Sequence, residues 1–337
     1  MKAIVCKKPG EIAVEQRPLP SRRAGEAIVR ISRIGICGTD YHIYEGLHPF
    51  LQYPRVMGHE LAATVEEAAP GSQLRHGELV VINPYMACGT CHACRQGKSN
   101  CCMNIAVLGV HRDGGMAEYL SLPEANLLPA EGLSADAAAS VEFLAIGAHA
   151  VRRSALRPGI RTLVVGAGPI GLGAAIFARL AGAEVWLLDR DQSRLDLSSK
   201  VGGIPNAILA DGDTQARIRQ ATNDDGFDVV FDATGNSRSM EGSFDFAAHG
   251  GTYVLVGLVK DRISFFDPDF HKREMTLLAS RNATPDDFGT VISAIRSGLV
   301  PVNALITHRS SFEQVSTLLP RWAHDKEGLI KAMIALD

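Results

Sequence analysis

The sequence predicts an α/β protein in which a doubly wound parallel sheet is inserted into a β-rich lobe. Three observations carry that expectation. From Met1 to about Glu131, short apolar runs such as Ile28 to Ile36, Ala62 to Val65 and Leu79 to Ile82 alternate with Gly, Pro and charged turns. From about Leu156 the rhythm changes to strand-like runs separated by helical segments: Leu163 to Val165, then Gly171 to Gly182, then Val185 to Leu188. Val229 to Phe231 and Tyr253 to Val256 follow at wide spacing, as in a parallel sheet with helical crossovers. After Arg281, short helical segments lead to a last apolar run, Leu329 to Leu336, expected to rejoin the first lobe.

Bulk properties bound the class. A chain of 337 residues exceeds one ordinary core and suggests two domains. Its 46% hydrophobic and 21% charged residues are ordinary for a globular protein. A net charge of −3 builds no field for nucleic acid or an anionic membrane. Met1-Lys2-Ala3-Ile4-Val5 reads as a first strand rather than a signal peptide, so a cytoplasmic protein is expected. Leu163 to Ala178 is apolar but glycine-rich and too short for a span of about 20 residues, and it reads as a buried strand and helix.

Of the 7 cysteines, Cys88, Cys91, Cys94, Cys101 and Cys102 crowd into one segment, which favours metal over disulfides in such a protein. Cys88-x2-Cys91-x2-Cys94-x7-Cys102 offers four soft donors, the closed tetrahedral shell of a structural zinc. An iron–sulfur cluster is the rarer reading of the same donors. Cys101 and Cys102 compete for the fourth place, and spacing selects Cys102.

A second constellation precedes it. Cys37, in Gly35-Ile36-Cys37-Gly38-Thr39-Asp40-Tyr41-His42, is followed by His59-Glu60. A thiolate, an imidazole and a carboxylate are usual zinc donors, and three protein donors leave one place open, as in a catalytic site. Alone this is a weak signal, and it gains weight from the four-cysteine loop and the nucleotide motif beside it.

That motif is Gly166-x-Gly168-x-x-Gly171, with Pro169 and Ile170 completing the turn, between the strand Leu163 to Val165 and a helix. Such glycines allow the tight turn and let the backbone approach a pyrophosphate at the helix N-terminus. Asp189 ends the next strand at about the 20-residue distance of the fingerprint. A carboxylate there accepts from ribose hydroxyls and repels a 2′-phosphate, which favours NAD over NADP. Arg190 and Arg194 stand close by and leave some NADP use open.

Together these motifs resemble the zinc-containing medium-chain dehydrogenase/reductase family over essentially the whole chain. The resemblance implies a GroES-like catalytic domain at 1–149 and 284–337 carrying both zinc sites, and a Rossmann NAD-binding domain at 150–283. The segment Cys37 to Glu60 is similar to the polyol dehydrogenase branch, which includes sorbitol and threonine dehydrogenases and has Glu after the zinc His. Val141-Glu142-Phe143 stands where that branch has Val-Glu-Pro, a departure that keeps Glu142. The likeness implies Cys37, His59 and either Glu60 or Glu142 at the metal, directly or through water, and the sequence does not choose between the glutamates.

Asn100-Cys101-Cys102, Leu108 to Gly115, Asp267 to Lys272 and Ser280 to Pro285 are similar to bacterial zinc-type dehydrogenases that oxidise L-galactonate and related hexonates. This resemblance implies hydride transfer to NAD from a secondary alcohol of a sugar acid or polyol, by a homodimer or homotetramer. It implies Thr39 and His42 as a proton relay, with Glu142 catalytic, and Thr234 and Gly257 bordering the cofactor. It places Arg281 against substrate, where a guanidinium can hold hydroxyls or a carboxylate, and His111 along the pocket. A threonine- or sorbitol-type substrate is the alternative within the class. A non-catalytic NAD-binding sensor is the alternative outside it, and zinc content discriminates: two per chain for the enzyme, one for a scaffold.

Overall fold

The computed structural model describes residues 1–48 and 51–336. The strand Glu26–Ile36 buries alternate side chains, and it organises the first sheet. That sheet has seven strands, in the order Leu127–Pro129, Leu79–Ile82, Glu60–Glu67, Glu26–Ile36, Lys331–Ala335 and Ile306–Ser311, with Tyr119–Pro123 also paired to Glu26–Ile36. A three-stranded sheet of Glu11–Gln16, Lys2–Lys8 and Arg55–Val56 contributes Ile4, Val5 and Val56 to the same core. Ile31, Ile34, Val65, Val80, Leu122 and Ile334 fill its centre.

Register decides where the chemistry falls. Gly35 pairs with Glu60 on one side of the central strand, and Ile36 pairs with Ala332 on the other. The strand therefore delivers Cys37 between Glu60 and Lys331, two residues remote in sequence. The last strand, Lys331–Ala335, is shorter than the apolar run that foretold it, because Leu329 falls in the preceding turn.

The chain divides into two compact units: Met1–Glu142 with Thr284–Gly298 and Val302–Asp337, and Phe143–Ala283 with Leu299–Pro301. The first boundary falls after Glu142 rather than at residue 149. Packing explains the difference. From Phe143 on, the helix Val141–Arg153 lies against Pro169–Leu180, and Gly147 approaches Gly173 and Ala174 so closely that a Cβ would strike their backbone.

The second unit holds a six-stranded parallel sheet, ordered Asn206–Leu209, Glu184–Asp189, Arg161–Val165, Phe227–Asp232, Ala247–Leu255 and Thr276–Ala279. The order reverses between Arg161–Val165 and Phe227–Asp232, and ligands bind outside the carboxyl ends of strands at such a reversal. The apolar stretch from Leu163 divides into the strand Arg161–Val165 and the helix Pro169–Leu180. No helix among the described residues is long and apolar enough to cross a membrane.

Candidate metal centres and nucleotide site

Cys37 is the N-cap of the short helix Gly38–Tyr44. The Asp40 carboxylate accepts from Cys37 N at 2.9 Å and from Gly58 N at 3.1 Å, so one buried side chain joins the loop of Cys37 to the loop of His59. Donor atoms of Cys37, His59 and Glu60 lie within 4.8 Å of one another. His59 and Glu60 are buried, and His59 Nδ1 has no hydrogen-bond partner among the described residues. Buried polar atoms are rarely left unpaired, so a soft-plus-hard donor set with an orphaned imidazole nitrogen fits a zinc ion.

Around this set the charges are arranged. Glu60 accepts from Lys331 Nζ through both oxygens, at 2.6 and 2.7 Å, and Lys331 also donates to Ile36 O at 3.2 Å. Gly35 leaves room for the Glu60 carboxylate, which a Cβ there would strike. Glu142 accepts from the Tyr85 hydroxyl through Oε1, while its Oε2 is buried without a partner among the described residues. Burial pushes the Glu142 carboxyl up to about 7, against the opposing charge of His59. Thr39 is half-buried in the first turn after Cys37, and His42 is exposed at the end of the same helix.

The second centre draws the donor atoms of Cys88, Cys91, Cys94 and Cys102 within 4.8 Å. Cys91 and Cys94 sulfurs lie 3.5 Å apart across the turn His92–Arg95, and Cys88 N donates to Cys102 Sγ at 3.2 Å. Backbone N–H groups of Thr90 and Cys91 hold the Cys88 thiol down to about 5, which favours the thiolate. Four sulfurs and no open position fit a structural zinc. Cys102 is buried in this set and Cys101 is exposed outside it.

In the second unit, each glycine of the motif has its own reason. Gly166 has φ +95, which L side chains rarely adopt. Gly171 packs where a Cβ would collide with Gly166 O. Gly168 caps the helix Pro169–Leu180, and the space its missing side chain leaves is open except for Arg194 Nη1 at 3.9 Å. Pro169 and Ile170 form the first helical turn. An open cradle at the N-terminus of a twelve-residue helix suits a pyrophosphate.

Asp189 turns toward this loop. One oxygen accepts from Ala167 N at 2.8 Å and the other from Asp191 N at 3.1 Å. Thr234 follows the neighbouring strand, 3.1 Å from where a Gly166 Cβ would lie, and donates to Asp232 Oδ1 at 2.6 Å. Gly257 lies against Gly235.

The residues expected at substrate fall in different units. Arg281 is exposed beyond the strand Thr276–Ala279 in the second unit. His111 is exposed in the first, where its Nδ1 accepts from Val107 N at 3.1 Å. Sequence reasoning passed over Asp40, Tyr85, Gly35 and Lys331. Only Asp40 carried a local signal, an acid three residues after a helix N-cap.

Comparisons extend these observations. Residues 23–132 match the alcohol dehydrogenase GroES-like domain, and residues 169–297 match the zinc-binding dehydrogenase domain. The chain is 42% identical over 335 residues to L-galactonate-5-dehydrogenase of Escherichia coli K12, covering 99% of this chain and 98% of that protein. Among solved structures, the RspB alcohol dehydrogenase of Escherichia coli CFT073, complexed with NADH, has a TM-score of 0.93 at 29% identity over 100% of this chain and 99% of that one. L-Idonate 5-dehydrogenase from Escherichia coli K-12 has a TM-score of 0.92 at 26% identity, covering 99% of this chain and 98% of that one.

Proposed function

Because the chain belongs to the zinc-binding alcohol dehydrogenase family, we propose that it oxidises a secondary hydroxyl of a hexonate such as L-galactonate, or of a related polyol, with NAD as hydride acceptor. The observation that carries the chemistry is the clustered Cys37, His59 and Glu60 set, with its orphaned imidazole nitrogen. The substrate class rests on the 42% identity to an L-galactonate dehydrogenase along 99% of the chain.

Zinc held there would supply Lewis-acid polarisation of an alcohol, and NAD would supply the hydride acceptor. Cys37 and His59 would hold the metal, with Glu60 as the third donor and Glu142 as a second carboxylate. Lys331 offsets the charge that Glu60 brings into the core. Thr39 takes the proton that the substrate hydroxyl loses, and His42, exposed at the helix end, passes it to solvent. The loop Gly166 to Gly171 cradles the pyrophosphate, with Thr234 and Gly257 lining the cofactor. Asp189 accepts from the ribose while Arg194 reaches over Gly168. Arg281 and His111 bind substrate, a role supported by resemblance alone. The active protein is a homodimer or homotetramer on the same ground.

The test is a panel of L-galactonate, other aldonates, sorbitol and L-threonine, scored by NADH absorbance. Turnover of the aldonates is expected. Turnover of uncharged polyols alone would remove the carboxylate role from Arg281, and turnover of threonine alone would replace the substrate class.

A further inference from the structure

We propose that Tyr85 is a positioning residue of the Cys37–His59–Glu60 centre: its hydroxyl fixes the Glu142 carboxylate so that Oε2 is the oxygen left for the centre. The inference rests on the metal-site part of the reading above, and not on the substrate.

Glu142 and Tyr85 are both buried, where a carboxylate oxygen needs a partner from the protein or a bound group. The terminal torsion of a glutamate is broad and roughly two-fold, so rotation alone does not distinguish the two oxygens. The Tyr85 hydroxyl does, because it donates to Oε1 and leaves Oε2 without a partner. Glu142 feels the charges of His59 and Glu60, two members of the donor set.

Tyr85 is itself held from several directions. Its N donates to Asn83 Oδ1 at 3.0 Å. Asn126 Nδ2 donates to Asn83 O at 2.9 Å and to Tyr85 O at 3.3 Å. The ring of Phe288 meets the tyrosine ring edge-on, at 6.2 Å between centroids and 77°. Phe288 sits on the helix Pro285–Arg296, which Thr284 and Asp287 start with a capping box. A hydroxyl on so fixed a ring sets an angle rather than following one. Partners of this kind orient metal-binding groups, and their removal typically costs about 10- to 100-fold in metal affinity or activity.

The test is Tyr85→Phe, which keeps the ring against Phe288 and removes only the hydroxyl. The protein is reloaded with cobalt(II), and the visible spectrum and chelator-driven metal loss are followed. A shifted spectrum and about 10- to 100-fold weaker retention at the Cys37 centre are expected, with the four-cysteine site unaffected as the control for folding. In a Glu142→Gln background, Tyr85→Phe is expected to add nothing. An unchanged spectrum and retention would overturn the proposal, as would an effect that persists in full without the Glu142 carboxylate. An inert substrate panel alongside these metal effects would sink the substrate reading and leave this one standing.

Discussion

Lys331 Nζ lies 2.6 and 2.7 Å from the two carboxylate oxygens of Glu60, and both side chains are buried. Burial works against the lysine's charge, and Glu60 outweighs it, so the ammonium is held above the ordinary lysine range. Removing one partner of such a pair leaves an uncompensated charge inside the fold. Lys331→Met is therefore expected to lower stability by about 3–5 kcal/mol, read as a lower urea midpoint, with loss of metal from the Cys37 centre. A variant with the parental midpoint would show that the pair contributes little.

The two cysteines at the end of the four-cysteine run are expected to differ sharply. Cys102→Ser should release one metal ion per chain and loosen the loop, because the closed shell loses a donor. Cys101→Ser should keep both metals and stay within about 0.5 kcal/mol of the parent. Elemental analysis after dialysis measures this directly. The reverse outcome would exchange the two residues.

Asp189, the proposed ribose acceptor, also takes the N–H of Ala167 inside the glycine turn. Asp189→Ala leaves that N–H without its charged acceptor, a loss of about 1.5–3 kcal/mol. The expected result is NAD binding weakened about 10- to 100-fold, by fluorescence titration, with little compensating gain for NADP. Strong NADP binding in this variant would mean that charge repulsion is the whole role of the residue.

Burial pushes the Cys6 thiol up to about 11, and it is buried on the strand Lys2–Lys8 of the three-stranded sheet. At pH 8 it stays protonated and inaccessible, so an aromatic disulfide reagent should not reach it in the folded protein. Exposed Cys101 should react at once. Peptide mapping of the labelled protein checks both, and rapid labelling of Cys6 would contradict the burial described here.

What could be read from the chain follows from the range over which each group acts. The four cysteines and the glycines act on neighbours a few residues away, so spacing alone exposed them. The parallel sheet was legible for a similar reason, since strand and helix periods are local. Lys331 was not, because a single lysine inside the apolar run Leu329 to Leu336 carries no local sign of its partner. Only the pairing of Ile36 with Ala332 carries it beside Glu60. Tyr85 carries no local signal, since its partner Glu142 belongs to a different element. Gly35 lies inside the strand-like run Ile28 to Ile36, and only the register sets it opposite Glu60. The unit boundary inside the helix Val141–Arg153 was hidden because helical periodicity does not register which neighbours a helix packs against.

The last strand gives the protein an order of assembly. On the ribosome, Cys37, His59 and Glu60 emerge early, and the whole nucleotide-binding unit is made before Lys331 appears. Until that strand inserts beside Glu26–Ile36, the Glu60 carboxylate has no counter-charge and stays better off in water than in the core. A nascent chain without Lys331 therefore holds its metal donors without a finished centre, and the lobe is completed only when that strand pairs.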